Sequence, residues 1–192
     1  MPPPPETQAQ ALLEPLARAV CLTAALFNQL RLSRTSTERL HHARSLMIGA
    51  ASQANMVIEI GLRVLVYLSG KRITNRSHQI GIFPPLAPKP LRAELEQALE
   101  PIRRPHLKKK EADDEYVNWR IVGSYGSSDS DLYAPYLAEL NDEYLTEIAK
   151  AAAEIALLAT DLAGKKMGAS TRPQIEEVIS QALDLRSAIK TT

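Results

Sequence analysis

The sequence predicts an all-α fold: an up-and-down helical bundle of about five main helices with short extra helices. Three observations lead there. A long apolar stripe between Ser36 and Leu68 recurs mostly at three- and four-residue steps. A second stripe, still more regular, runs from Tyr133 to Leu162. No segment alternates between apolar and polar residues over more than a few positions, which leaves no strand pattern. The composition, 45% hydrophobic and 23% charged, is that of a chain able to bury a core.

In chain order, Pro2 to Pro5 reads as a short polyproline stub within a Pro-rich, disordered terminus over residues 1–13. One helical domain over 14–192 is then expected, a usual length for a single core. Its first helix covers Glu14 to Leu30, with Pro15 in the first turn and Leu16, Val20, Leu22, Leu26, Phe27 and Leu30 on the apolar face. Cys21, the single cysteine, reads as a small buried residue in a reducing compartment. Thr35 and Glu38 have the spacing of a capping box. The long helix after them carries Leu40, Met47, Ala50, Ala54, Val57, Ile58, Gly61, Leu62, Leu65 and Leu68, and Gly70 supplies its stop.

Ser77 is a candidate cap for a short helix starting at His78 and carrying Ile80, Ile82 and Phe83, before Pro84, Pro85, Pro88 and Pro90 interrupt the chain. Leu91 to Ile102 is expected as another amphipathic helix, closed by Pro101 and Pro105. A basic linker, Arg103 to Lys110, and an aromatic segment, Tyr116 to Tyr125, separate it from the second striped helix, whose stop is Gly164 to Gly168. The last helix opens at Arg172-Pro173 and carries Ile175, Ile179, Ala182, Leu185 and Ile189.

The net charge of +1 conceals an asymmetry. Residues 63–110 hold 11 Lys/Arg against 3 Asp/Glu, whereas residues 111–163 hold 2 against 12. Such a division suits a phosphate-binding face, contact between two copies, or neutralisation within one fold. The sequence contains no run of 18 uninterrupted apolar residues and its proline-rich start has no basic leader, so a cytoplasmic protein is expected. No glycine-rich phosphate loop, metal-ligand cluster or nucleophile motif is visible, and neither cofactor nor metal is expected.

The stretch Asn55-Met-Val-Ile-Glu59-Ile-Gly-Leu-Arg63, followed by Ser77-His78 and Phe83 and later by Trp119-Arg120, resembles the HEPN superfamily over about residues 40–165. Trp119-Arg120 is similar to the aromatic-basic pair of sacsin-type and abortive-infection-like branches, which lack the usual nuclease motif. The resemblance implies a homodimeric module that binds RNA, a nucleotide or a protein partner in a prokaryotic defence or toxin–antitoxin setting. The basic segment supplies the expected binding surface, Lys71, Arg72, Arg76, Arg103, Arg104, Lys108, Lys109 and Lys110, and the resemblance adds Glu59, Arg63, Trp119 and Arg120 to the binding set. Chemistry alone offers other roles for these residues. Glu59 and Arg63 share a helix face and read equally as a salt bridge, His78 as a helix-start residue and Trp119 as a core aromatic.

Catalytic members of that superfamily cut RNA without metal, using an arginine followed after four to six residues by a histidine. The residue types suit the work, since histidine moves protons near neutral pH and arginine clamps a charged phosphoryl group. Arg72 with His78, and Arg34 with His41, have this spacing, though neither pair is at the late position where the motif belongs. After Arg120 no histidine follows. A metal-independent RNase toxin or effector using Arg72 and His78 is therefore the alternative to a non-catalytic binding module.

Overall fold

A computed structural model describes residues 3–34, 40–73, 80–103, 116, 117, 119, 122 and 140–190. Five helices carry the architecture: α1 (Pro5–Arg34), α2 (Leu40–Leu68), α3 (Arg92–Leu99), α4 (Asp142–Lys166) and α5 (Arg172–Lys190). The fold is an all-α bundle, with no strand among the described residues.

α1 begins at Pro5 rather than Glu14, so residues 5–13 are helix and not part of a disordered stub. Proline suits the first turn because its missing N–H has no helical acceptor there, and Glu6 complements the positive end of the helix dipole. Ala9 and Leu13 then anchor these turns in the core. Pro15 consequently lies in the helix interior, not its first turn. It is tolerated because Ala11, whose carbonyl loses its helical donor, is exposed to solvent.

The inward stripe of α1 is Ala9, Leu13, Leu16, Val20, Ala24, Phe27 and Leu30. Leu22, expected in that stripe, is 53% exposed. It follows Val20 by two positions, about 200° around the helix, and so points to the opposite side. Cys21 is likewise exposed rather than buried.

α2 is the central helix. Its second half is buried nearly all round, through Val57, Ile58, Leu62, Val64, Leu65, Val66 and Leu68. Its C-terminal stop is the one expected, since Gly70 adopts φ +78° and its amide bonds the Tyr67 carbonyl at 2.9 Å. The Thr35–Glu38 capping box lies outside the described residues.

Prolines shape the segment between α2 and α4. Three-residue 3-10 turns, Ile80–Ile82, Pro84–Leu86 and Lys89–Leu91, precede α3, and a fourth, Glu100–Ile102, follows it. The expected helix over Leu91 to Ile102 is thus a short α-helix with a tightened turn at each end, Pro101 being unable to donate to the carbonyl one turn back. Ile80, Phe83, Leu95, Leu99 and Ile102 fasten the segment to the core.

α4 is capped by Asn141, whose Oδ1 accepts from the Tyr144 amide at 2.8 Å. Tyr133 and Leu137 of the expected stripe lie outside the described residues. The helix runs through Gly164 to Lys166, with Asp142 and Glu143 in its first turn and Lys165 and Lys166 in its last. α5 starts at Arg172, as the Arg-Pro signal predicts.

α1 packs on α2, α2 on α4, α4 on α5 and α5 on α1, closing a ring of four long helices. A 3.8 Å contact from Leu26 to the Cβ position of Gly49 fits the antiparallel α1–α2 pair. α2 and α4 run parallel: Gly61 meets Ile155, and Lys166 Nζ donates to the Leu68 carbonyl at 2.8 Å, so their C-terminal ends coincide. A parallel pair requires the chain to return along the bundle, and the α3 segment makes that crossover. α1 and α2 are each long and apolar enough to cross a membrane by length and composition. In the bundle 44% of the apolar window of α1 and 50% of that of α2 are buried.

Candidate functional site

Asn55, Glu59 and Arg63 recur at four-residue steps, so they form one polar line along the otherwise apolar α2. The bundle buries this line. Asn55 is fully enclosed, and the Glu59 and Arg63 side chains are only 5% and 17% exposed. Arg63 Nε donates to Glu59 Oε1 at 3.0 Å. The Arg63 guanidinium also lies 5.1 Å from the centroid of the Phe83 ring, a cation–π contact.

A single side chain therefore joins a carboxylate of α2 to an aromatic ring of the crossover, which a planar guanidinium can do and a compact ammonium cannot. The salt bridge that the four-residue spacing of Glu59 and Arg63 allows is formed, and it is buried. Neighbouring bonds hold the same segment: Ser69 Oγ lies 3.4 Å from the Leu86 carbonyl, and Arg92 Nε donates to the Ala87 carbonyl at 3.2 Å.

Asn55, one turn before Glu59, is different. Neither its Oδ1 nor its Nδ2 has a hydrogen-bond partner among the described residues. A buried amide left unpaired costs about 1–3 kcal/mol. Asn55→Leu, of similar size, is therefore expected to raise the thermal midpoint by about 2–8 °C, read by calorimetry. A lowered midpoint would mean that the amide contributes to stability.

Trp119 is fully buried. Its ring packs at 5.8 Å and 47° against Tyr144, and its Nε1 donates to the Tyr144 hydroxyl at 3.1 Å. It is a core aromatic with no face left for stacking on a base, which corrects its place in the expected binding set. Tyr144 was legible only as a member of the α4 stripe. Nothing local links two residues 25 positions apart.

The expected basic residues divide. Lys71 and Arg72 are exposed just beyond Gly70, and neither has an ion-pair partner among the described residues. Arg103 is also exposed, but it pairs with Glu100 at 3.2 Å. Arg76, His78, Arg104, Lys108, Lys109, Lys110 and Arg120 lie outside the described residues. Arg34 ends α1 and His41 lies in the first turn of α2, with their side chains outside the described set. Among the described residues no group of three or more His, Cys, Asp or Glu is placed to hold a metal.

Three kinds of chemistry are thus distributed over separate places. The Glu59–Arg63–Phe83 unit braces the crossover against α2, Trp119 and Tyr144 build core, and Lys71 with Arg72 offers solvent two cations that have no ion-pair partner among the described residues. No protein-family model, curated protein or solved structure matches the chain.

Proposed function

We propose that this chain is a cytoplasmic, non-catalytic, HEPN-like RNA-binding module whose ligand meets the basic loop after α2. The observation that carries this reading is the exposure of Lys71 and Arg72 without ion-pair partners among the described residues. Other exposed cations either pair with a carboxylate, as Arg18, Arg103, Lys150, Lys165, Arg172 and Arg186 do, or, like Arg31, Arg44, Lys89 and Lys190, have no exposed cation next to them in the chain; Lys166 instead donates to the Leu68 carbonyl. Cations left unneutralised next to one another suit closely spaced phosphates, and the sequence continues the loop with Arg76. Resemblance to a superfamily of RNA-directed modules favours RNA over an acidic protein. The lack of a histidine after Arg120 supports binding without cleavage.

Fluorescence anisotropy with labelled single-stranded RNA, across a salt series, tests the reading. Affinity should fall steeply with salt, and K71E/R72E should bind at least roughly tenfold more weakly with a log–log slope shallower by about 1.4. Salt-independent binding, or equal affinity in the double variant, would overturn it. Total RNA incubated with the protein and EDTA should stay intact; cleavage abolished by His78→Ala would instead establish the RNase.

A further inference from the structure

Two long-range contacts gather separate parts of the sequence at one end of the bundle. Lys166 Nζ, in the last turn of α4, donates to the Leu68 carbonyl at 2.8 Å, and Lys71 follows Leu68 by three residues. Ser69 Oγ lies 3.4 Å from the Leu86 carbonyl, and Lys89 follows Leu86 by three residues. Three residues of chain span at most about 11 Å. The end of the bundle where α2 and α4 stop therefore collects Lys71 with Arg72, Lys89 and Lys166, cations of three segments far apart in the sequence. All four are exposed, and none has a carboxylate partner among the described residues.

A helix C-terminus ordinarily repels anions, because its last four carbonyls carry partial negative charge. Here those of α2 are all engaged. The Ser69 amide bonds the Leu65 and Val66 carbonyls, the Gly70 amide bonds that of Tyr67, and Lys166 bonds that of Leu68. Lys166 uses one of its three N–H donors in doing so and keeps its charge. Asp161 and Glu176, carboxylates at the same end, are each engaged by a cation of their own helix, Lys165 and Arg172. Glu94 is near Glu154 and Leu158, about two turns or more back along α4 from Lys166.

The separation of the cations decides the ligand. They are spread over the ends of two helices, whose packed axes are about 8–10 Å apart, and over the crossover beside them, which is farther than one phosphate group reaches. A nucleic acid strand, by contrast, presents a phosphate at every nucleotide. We infer that this end of the bundle is a phosphate track for an RNA strand of several nucleotides, not for a mononucleotide, with Lys166 and Lys89 continuing the contact begun by Lys71 and Arg72. The inference rests on the RNA-binding reading above and extends it to two further segments.

Fluorescence anisotropy with labelled uridine oligomers across a salt series tests the track with K89Q, K166Q, K89Q/K166Q and, as a control, K190Q. Glutamine removes the charge at 166 and keeps an N–H donor for the Leu68 carbonyl. Lys190 is an exposed cation at the opposite end, because α5 turns back along α4, where Arg186 meets Glu154, and ends about 27 Å from its start. K89Q/K166Q should bind an oligomer of about twelve nucleotides at least roughly fivefold more weakly, with a log–log salt slope shallower by about 1.4, and each single variant should show about half that change in slope. K190Q should match wild type. Affinity should rise with oligomer length, and ATP at equal phosphate concentration should compete at least roughly tenfold less well than the oligomer. Unchanged thermal midpoints separate binding from folding, and K89Q, whose side chain bonds nothing among the described residues, carries the test should K166Q lower its midpoint. Wild-type affinity in K89Q/K166Q, with binding still weakened in K71E/R72E, would overturn the track and leave the loop reading standing. An equal loss in K190Q, or ATP competing as well as the oligomer, would also overturn it. Absence of RNA binding by wild type would overturn both.

Discussion

Gly61→Leu is expected to destabilise the fold by more than about 4 kcal/mol, enough to remove much of the roughly 5–15 kcal/mol that holds a domain together. A β carbon at Gly61 would lie 2.7 Å from Ile155 Cγ2 and 3.5 Å from the Ile155 carbonyl oxygen. The methyl group in the way is attached directly to the Ile155 β carbon and cannot swing aside as the end of a long side chain can. α2 and α4 would have to separate, opening gaps along Ala149, Ala152, Ala156 and Ala159, small residues that line the buried side of α4.

The mild substitution gives the sharper diagnosis. Gly61→Ala should gain about 1 kcal/mol in helix propensity and lose about 2–3 kcal/mol to overpacking, for a net loss of about 1–2 kcal/mol. In an Ile155→Ala background the obstruction is gone, and the same Gly61→Ala change should become stabilising. Urea denaturation of the four proteins measures this reversal of sign. A higher midpoint for Gly61→Ala in the wild-type background would show that the helix contact is not as close as described.

Arg63→Ala should cost about 3–5 kcal/mol, because it leaves the buried Glu59 carboxylate without its guanidinium. The contact over the Phe83 ring goes with it, which should loosen the crossover more than the helix ring. Removing both charges together, in E59Q/R63M, should recover part of that loss, since the buried carboxylate that lost its guanidinium is removed with it. Hydrogen exchange should show the Arg63→Ala effect concentrated in residues 80–103, with denaturation giving its size. A change below about 0.5 kcal/mol would place the pair among ordinary surface salt bridges.

These predictions concern features of different legibility. Gly70 as a stop, Arg172-Pro173 as a start and the apolar stripes of α2 and α4 are local, because they depend on backbone stereochemistry and on a repeat of about 3.6 residues. The early start of α1 was obscured by proline. A Pro-rich run reads as helix-averse, yet Pro5 occupies the first turn, where the missing N–H does no harm. Leu22 and Cys21 were misplaced for another reason: in a stretch apolar on every side, periodicity cannot tell which flank will meet a neighbour.

Sequence alone determined that this chain forms long helices, where most of them stop, and that Asn55, Glu59 and Arg63 share one face of α2. Those outcomes follow from interactions between residues a few positions apart. Tertiary structure decided that this face is enclosed, that α2 and α4 run parallel at Gly61–Ile155, that Trp119 pairs with Tyr144 rather than facing a ligand, and that Leu22, Leu32 and Leu183 are left at the surface. Each of these depends on which helix lies against which, and the energies that choose neighbours act between side chains far apart in the chain.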